Sequence, residues 1–150
     1  MLIRTHDQTI TPDHMHDVRS ILEVAIARMA AVNATETDIA ELRAIIEEME
    51  KPRIRPAEFA AKDAHLHRRI AEASHNALLV VLLDSIRDVM QEIRSRVHRY
   101  SGLAEIVNPD HRRIIERLAV HDPEGAAAAM QAHLDHAKAV QRKVLKGKKG

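Results

Sequence analysis

No cysteine occurs in the 150 residues of this chain. That absence excludes a disulfide scaffold, an iron–sulfur cluster, a Cys-based zinc finger and a thiol nucleophile. Tryptophan is also missing, and Phe59 and Tyr100 are the only two aromatic hydrophobes, which leaves no platform for stacking bases or sugars. Neither sign of charge dominates. Lys and Arg number 23 against 22 Asp and Glu, a net charge of +1, too little to hold nucleic acid through its field. The longest apolar run, Ala77 to Leu83, falls far short of the roughly 20 residues that cross a bilayer. The start, Met1-Leu2-Ile3-Arg4-Thr5-His6-Asp7, lacks the basic-then-apolar order of a signal peptide. The expected address is cytoplasmic, with no membrane partner.

What is present is helical period and histidine. Val18, Ile21, Leu22, Ala25, Met29 and Val32 recur at helical spacing and predict the apolar face of a first helix. Thr35 and Asp38 stand in capping-box spacing before a second helix that buries Ile39, Leu42, Ile46 and Met49. Pro52 and Pro56 separate it from a third, from about Ala57 to Ala73. Asn76 reads as the N-cap of a fourth, which starts apolar at Leu78 and runs to Val97, its first half expected to be central. Asn108-Pro109-Asp110 reads as the start of a fifth, and Asp122-Pro123-Glu124 repeats the signal for a sixth. No segment alternates long enough to be a strand. The expectation is an all-α, six-helix antiparallel bundle, with a leader over 1–16, a ligand-binding helical domain over 17–145 and a basic tail over 146–150.

Histidine is the anomaly, with eleven residues. On the third helix Phe59, Asp63, Leu66, His67 and Ile70 share one stripe, and Asp63 and His67 are one turn apart. On the fifth, His111 shares the stripe of Ile114, Ile115 and Leu118. On the sixth, His133 shares that of Ala126, Met130, Leu134 and Ala137. One carboxylate and three imidazoles therefore aim into one apolar interior. A single inward His is usually a hydrogen-bonded core residue, but an inward carboxylate costs several kcal/mol unless paired or bound to a metal. Asp63 has Arg68 as one candidate partner. The four together favour a shared divalent transition metal, zinc first, with nickel, manganese, cobalt or iron as alternatives. A small carboxylate could fill an open coordination position, helped by Arg19, Arg87 or Arg94 beside the apolar stripes. For each Arg the competing reading is a solvated helix flank.

These residues resemble a known family. Val18-Arg19-Ser20-Ile21-Leu22-Glu23 is similar to the R-x-x-L-E start of the FCD domain, the effector-binding domain of FadR-type GntR transcription regulators. Ala34 to Leu42 looks like its next segment. Asp63-Ala64-His65-Leu66-His67 resembles its D-x-x-F-H signature, with Leu66 in place of Phe, and Ile70, Ala73 and Asn76 follow in the expected places. His111 to Ile115, then Asp122, Ala126, Met130 and His133-Leu134, resembles its C-terminal pattern. The resemblance implies a helical bundle whose metal is held at Asp63, His67, His111 and His133. It also implies a small organic acid bound near that metal, a homodimer, and transcription regulation through an attached winged helix-turn-helix. About sixteen residues precede the first helix, so no direct DNA binding is expected from this chain alone. Arg19, Arg87, Arg94 and Asn76 are the candidate effector contacts.

The leading expectation is thus a non-catalytic sensor. Two other readings stay open: a metalloenzyme built on the Asp/His3 site, and a ligand-free helical interaction module. Against the enzyme, Glu23 and Glu72 are off-face and no spare inward acid offers a general base.

Overall fold

The structure, a computed structural model, describes residues 3–5, 8–89, 91 and 102–147. Two short strands, β1 (Ile3–Thr5) and β2 (Gln8–Ile10), pair antiparallel. They precede a helical bundle of α1 (Pro12–Asn33), α2 (Glu36–Met49), α3 (Pro56–Ala73), α4 (Ala77–Ser85), α5 (Leu103–Ala119) and α6 (Pro123–Lys146). The hairpin escapes a search for alternation because three-residue strands are shorter than any readable period. Among the described residues, no helix is long and apolar enough to cross a membrane.

Local chemistry sets most helix starts. Thr11 caps α1 in a capping box with His14, and Pro12 opens the helix, so α1 begins well before its first apolar stripe residue. Thr35 and Asp38 form the reciprocal box at α2. Asn76 Oδ1 accepts the Leu78 amide at α4, and Asp122 Oδ1 accepts the Gly125 amide at α6. Each satisfies an amide that the first turn leaves without a partner.

Three expectations are corrected. The first concerns α1. The stripe of Val18, Ile21 and Val32 faces outward, with Ile21 76% and Val32 61% exposed. The buried face carries Glu23, Ile26, Ala27, Ala30 and Ala31. It packs on Ala126, Ala127, Ala129 and Met130 of α6, where small side chains let two backbones approach closely. Second, α4 ends at Ser85 and is peripheral; after a turn at Ile86 the chain is helical again over 87–89, and most of the expected continuation to Val97 lies outside the described residues. Leu83 is its buried residue, whereas Leu78 and Val81 are 64% and 60% exposed. Third, α5 starts at Gly102, whose φ of 85° only glycine adopts without cost. Asn108 and Pro109 lie inside that helix, not at its start.

Candidate metal centre

The bundle interior is lined by α1, α2, α3, α5 and α6, and the polar cluster is carried by the last three. On α3 the buried residues Phe59, Asp63, Leu66, His67 and Ile70 form one stripe, as the helical period requires. On α5 His111 lies with Ile114, Ile115 and Leu118. On α6 His133 lies with Met130 and Leu134. The apolar partners of each stripe orient the helices, and the polar member of each is carried inward with them.

The result is one compact cluster. Asp63, His67, His111 and His133 are all buried, and one ligand atom from each lies within 4.8 Å of the others. His111 Nε2 is 3.2 Å from Asp63 Oδ1, and His67 Nε2 is 3.6 Å from the same oxygen. His133 Nε2 is 3.3 Å from His67 Nε2. Donors placed about 2.1 Å from a shared ion stand roughly 3.0–3.4 Å apart, so these spacings suit a common metal.

The other edge of each ring faces an acceptor. His67 Nδ1 donates to Glu23 Oε1 at 2.5 Å. His111 Nδ1 donates to Asn108 Oδ1 at 3.3 Å. That amide cannot be turned round, because its Nδ2 donates to the Met49 carbonyl at 3.1 Å. His133 Nδ1 faces Asp110 Oδ2 at 3.7 Å, and the same oxygen accepts His136 Nδ1 at 2.7 Å. At His67 and His111, protons held at Nδ1 leave the Nε2 lone pairs aimed inward, the tautomer a metal requires, whereas His133 Nδ1 is buried without a hydrogen bond.

Without a cation this arrangement is unfavourable. His111 Nε2 is buried with no hydrogen-bond partner, although the Asp63 carboxylate lies beside it. Two acceptors facing each other call for a positive charge between them. Protonation is the weaker answer. Burial, reinforced by the neighbouring His111, pushes His133 down to about 3. Burial likewise lowers His111, against the pull of Asp63. Both imidazoles are therefore neutral and ready to ligate at neutral pH. Burial alone would raise the Glu23 carboxyl, but Arg19 and His67 on either side hold it well below the usual range. Asp110 is also lowered, since His133 and His136 outweigh its burial.

The structure brings together the four residues expected to share a metal, and it can hold one there. The candidate effector contacts fall in different places. Arg19 Nε donates to Glu23 Oε2 at 2.5 Å, one residue removed from His67. Arg87 borders a cavity of about 170 Å³ with Ala61, Ala64, His65, His67, Arg68, Leu83 and Asp84. Asn76 caps α4 and does not line that cavity. Arg94 lies outside the described residues. Arg68, considered as a partner for Asp63, pairs instead with Glu72 and Asp84.

Sequence reasoning missed the supports. Glu23 lies off the apolar face that hydrophobic period selects, yet it is fully buried against His67. The available signal was its position one turn before Ile26 and Ala27, on the small-residue face. Asn108 and Asp110 carry the sequence pattern of a helix start, and no local signal separates that role from the one they have.

Comparison with known proteins bears on the fold and the family of the chain. The FCD domain family matches residues 14–136. The Uxu operon transcriptional regulator of Escherichia coli K12 is 31% identical over 134 residues, covering 85% of this chain and 52% of that protein. The HTH-type transcriptional regulator LutR of Bacillus subtilis is 28% identical over 123 residues, covering 79% of this chain and 56% of its own length. The chain thus spans about half the length of the curated relatives it matches. Among solved structures, E. coli McbR/YncC superposes with a TM-score of 0.77 at 15% identity, over 95% of this chain and 77% of that one. Streptococcus agalactiae GntR gives 0.70 at 21%, over 83% and 56%. These two likenesses speak for the fold.

Proposed function

The chain belongs to the FCD domain family, and from that premise we propose that it is the metal-dependent effector-sensing part of a GntR/FadR-type transcriptional regulator. It binds a small carboxylate and catalyses no reaction. The observation that carries this reading is the convergence of three Nε2 atoms and one carboxylate from three helices, with the His67 and His111 rings braced from behind by hydrogen bonds.

In this reading Asp63, His67, His111 and His133 hold the ion, and zinc suits their mixture of imidazole and carboxylate best. Nickel, manganese, cobalt and iron share the donor preference. Bound there, the metal supplies a positive charge in a low-dielectric interior, which attracts an anion. The cavity against His67, about 170 Å³, has room for a small molecule on the order of benzene in size, and Arg87 on its rim has no carboxylate partner among the described residues. An acid of a few carbons with one or two carboxylates fits that space and charge. The carboxylates beside the cluster favour sensing over catalysis. Glu23 is tied to Arg19 and His67, and Asp110 to His133 and His136, so neither is free to act as a general base.

The test is calorimetric titration of metal-free protein with zinc, followed by a melting-temperature screen of mono- and dicarboxylates. Wild type should take up one zinc per chain, and His67→Ala and His133→Ala should each lose at least 100-fold in affinity, on the order of a lost ligand. A carboxylate should raise the melting temperature only of the zinc-loaded form. Equal zinc affinity in the variants sinks the ligand assignment. Chelator-sensitive turnover of any substrate would reinstate the enzyme reading.

A further inference from the structure

The outer surface of α3 borders a second depression that the metal centre does not use. An open trough of about 390 Å³ runs between α2 and α3, lined by Ala44, Ile45, Glu48, Ala61, Lys62 and His65. Its ionised groups satisfy one another. Glu48 pairs with Lys51 at 2.6 Å and with Lys62 at 3.7 Å. What remains for a guest is the apolar floor of Ala44, Ile45 and Ala61 and the stems of the long side chains. The cavity against His67 flanks the same surface of α3 from the α4 side. Ala61 and His65 line both spaces. They stand one turn apart on α3 and form the ridge between the two. Ala61 is exposed and offers only a methyl group, which makes it the low point of that ridge. A guest about the size of benzene fills the cavity, and butanoate has about as many non-hydrogen atoms. A longer chain must leave the cavity, and the way past Ala61 leads onto apolar surface.

We propose that the trough between α2 and α3 takes the hydrocarbon tail of the acid whose carboxylate sits in the cavity, so that the ligand class is linear monocarboxylic acids longer than butanoate. This rests on the reading of the cavity as the effector seat and adds to it the length and polarity of the guest. Charge decides the two ends. Arg87 at the cavity lacks a carboxylate partner among the described residues and receives the head. At the trough every cation that touches Glu48 is already engaged with it. A second carboxylate arriving there would meet Glu48 and lose water against an apolar floor, whereas a methyl end loses nothing. Full burial of a methylene tightens binding about fourfold. An open trough covers a chain on one side, so about twofold per methylene is expected beyond butanoate.

The test is calorimetric titration of the zinc-loaded chain, free of excess zinc, with butanoate, hexanoate, octanoate and octanedioate. Octanoate should bind about 15-fold more tightly than butanoate, with hexanoate between them. Octanedioate should bind no more tightly than butanoate. Two substitutions at exposed positions address the path. Ala61→Phe raises the ridge, and Ala44→Glu places a charge on the floor of the trough. Each should shrink the ratio of octanoate to butanoate affinity to about threefold or less, with circular dichroism and zinc uptake reporting that the bundle is intact. Octanoate that binds no more tightly than butanoate overturns the proposal and leaves the small-acid reading standing; the trough is then a surface for something other than a tail. A gain that both variants keep overturns it as well, because the tail then lies elsewhere. So does octanedioate binding as tightly as octanoate, which would mean that the far end accepts charge. Zinc uptake without binding of any of the four acids removes the effector reading itself, and the proposal with it.

Discussion

Asn108-Pro109-Asp110 and Asp122-Pro123-Glu124 are nearly the same tripeptide, an amide or acid followed by proline and an acid. The structure uses them differently. Asp122 is an N-cap, with Pro123 at the first helical position and Oδ1 on the Gly125 amide at 2.9 Å. Asn108 is in mid-helix, and Pro109 interrupts the ladder there by lacking the amide that the Glu105 carbonyl would accept. The difference lies in what surrounds them. The 122 segment is at the surface end of a turn. The 108 segment faces the cluster, and its two polar side chains stand behind His111 and His133. A sequence that usually starts a helix continues one here because Met49 and the imidazoles supply the partners a cap would otherwise find in its own first turn.

Acid should separate the two segments most. His111 and His133 are held below their ordinary value near 6.5, His133 to about 3. The unfolded chain therefore binds more protons than the folded one between those limits. Stability of the metal-free protein is complete above pH 6.5 and is lost as the pH falls from there toward 3, by about 1.4 kcal/mol per pH unit for each proton. Urea midpoints measured from pH 7.5 to 4.5 should show this slope, and His133→Gln should flatten it. The window lies above the titration of Asp110 and Glu23, whose lowered carboxyls contribute stability that is lost only under stronger acid. A flat profile down to pH 4.5 would mean that the imidazoles are not held neutral by burial.

Mutation should show the same contrast on a smaller scale. Asn108→Ala leaves the buried Met49 carbonyl and His111 Nδ1 without partners, at a cost of about 2–3 kcal/mol. It also frees the His111 ring, which should weaken zinc roughly tenfold. If it behaved as a lost cap, with about 1 kcal/mol and unchanged zinc affinity in titration, the comparison would fail. Pro109→Ala goes the other way. A proline in a helix interior costs about 3 kcal/mol relative to alanine, and roughly 1 kcal/mol of that is returned through the unfolded chain. Thermal melts should show a gain of about 1–2 kcal/mol.

The cluster was legible because Asp63, His67, His111 and His133 each lie on a helical stripe with several apolar neighbours, and a stripe fixes direction whatever packs against it. The caps at Thr35, Asn76 and Asp122 were legible because a cap is complete within four residues. The facing of α1 was not. Hydrophobic period ranks its faces by side-chain size, and Val18, Ile21 and Val32 outweigh Ala27, Ala30 and Ala31. The bundle chose the alanines because close approach to α6 needs small residues and because Glu23 on that face meets His67. The core position expected for the start of α4 failed for a related reason. An unbroken apolar run has no polar side to mark which face is outermost.

The weakest effect belongs to the genuine cap and has a sign that can be reversed. Asp122→Ala should cost about 1 kcal/mol in urea unfolding and leave zinc affinity unchanged. Gly125 is coupled to it. A Cβ at Gly125 would lie 2.0 Å from Asp122 Oδ2 and 2.9 Å from Arg117 Cδ. Gly125→Ala alone must therefore displace the capping carboxylate and should destabilise by an amount close to the loss of the cap. Once Asp122 is already alanine, the nearest obstacle is gone and the remaining one is a flexible Arg side chain. Alanine is then favoured over glycine in a helix by up to about 1 kcal/mol. Gly125→Ala should be destabilising in the wild type and neutral or stabilising beside Asp122→Ala, a non-additivity of about 1–2 kcal/mol in the double-mutant cycle. The same cycle has no counterpart at 108, where Asp110 and His111 occupy the positions after the proline and the polar contacts run across the bundle. Additive behaviour at 122 and 125 would mean that the cap does not depend on the missing side chain.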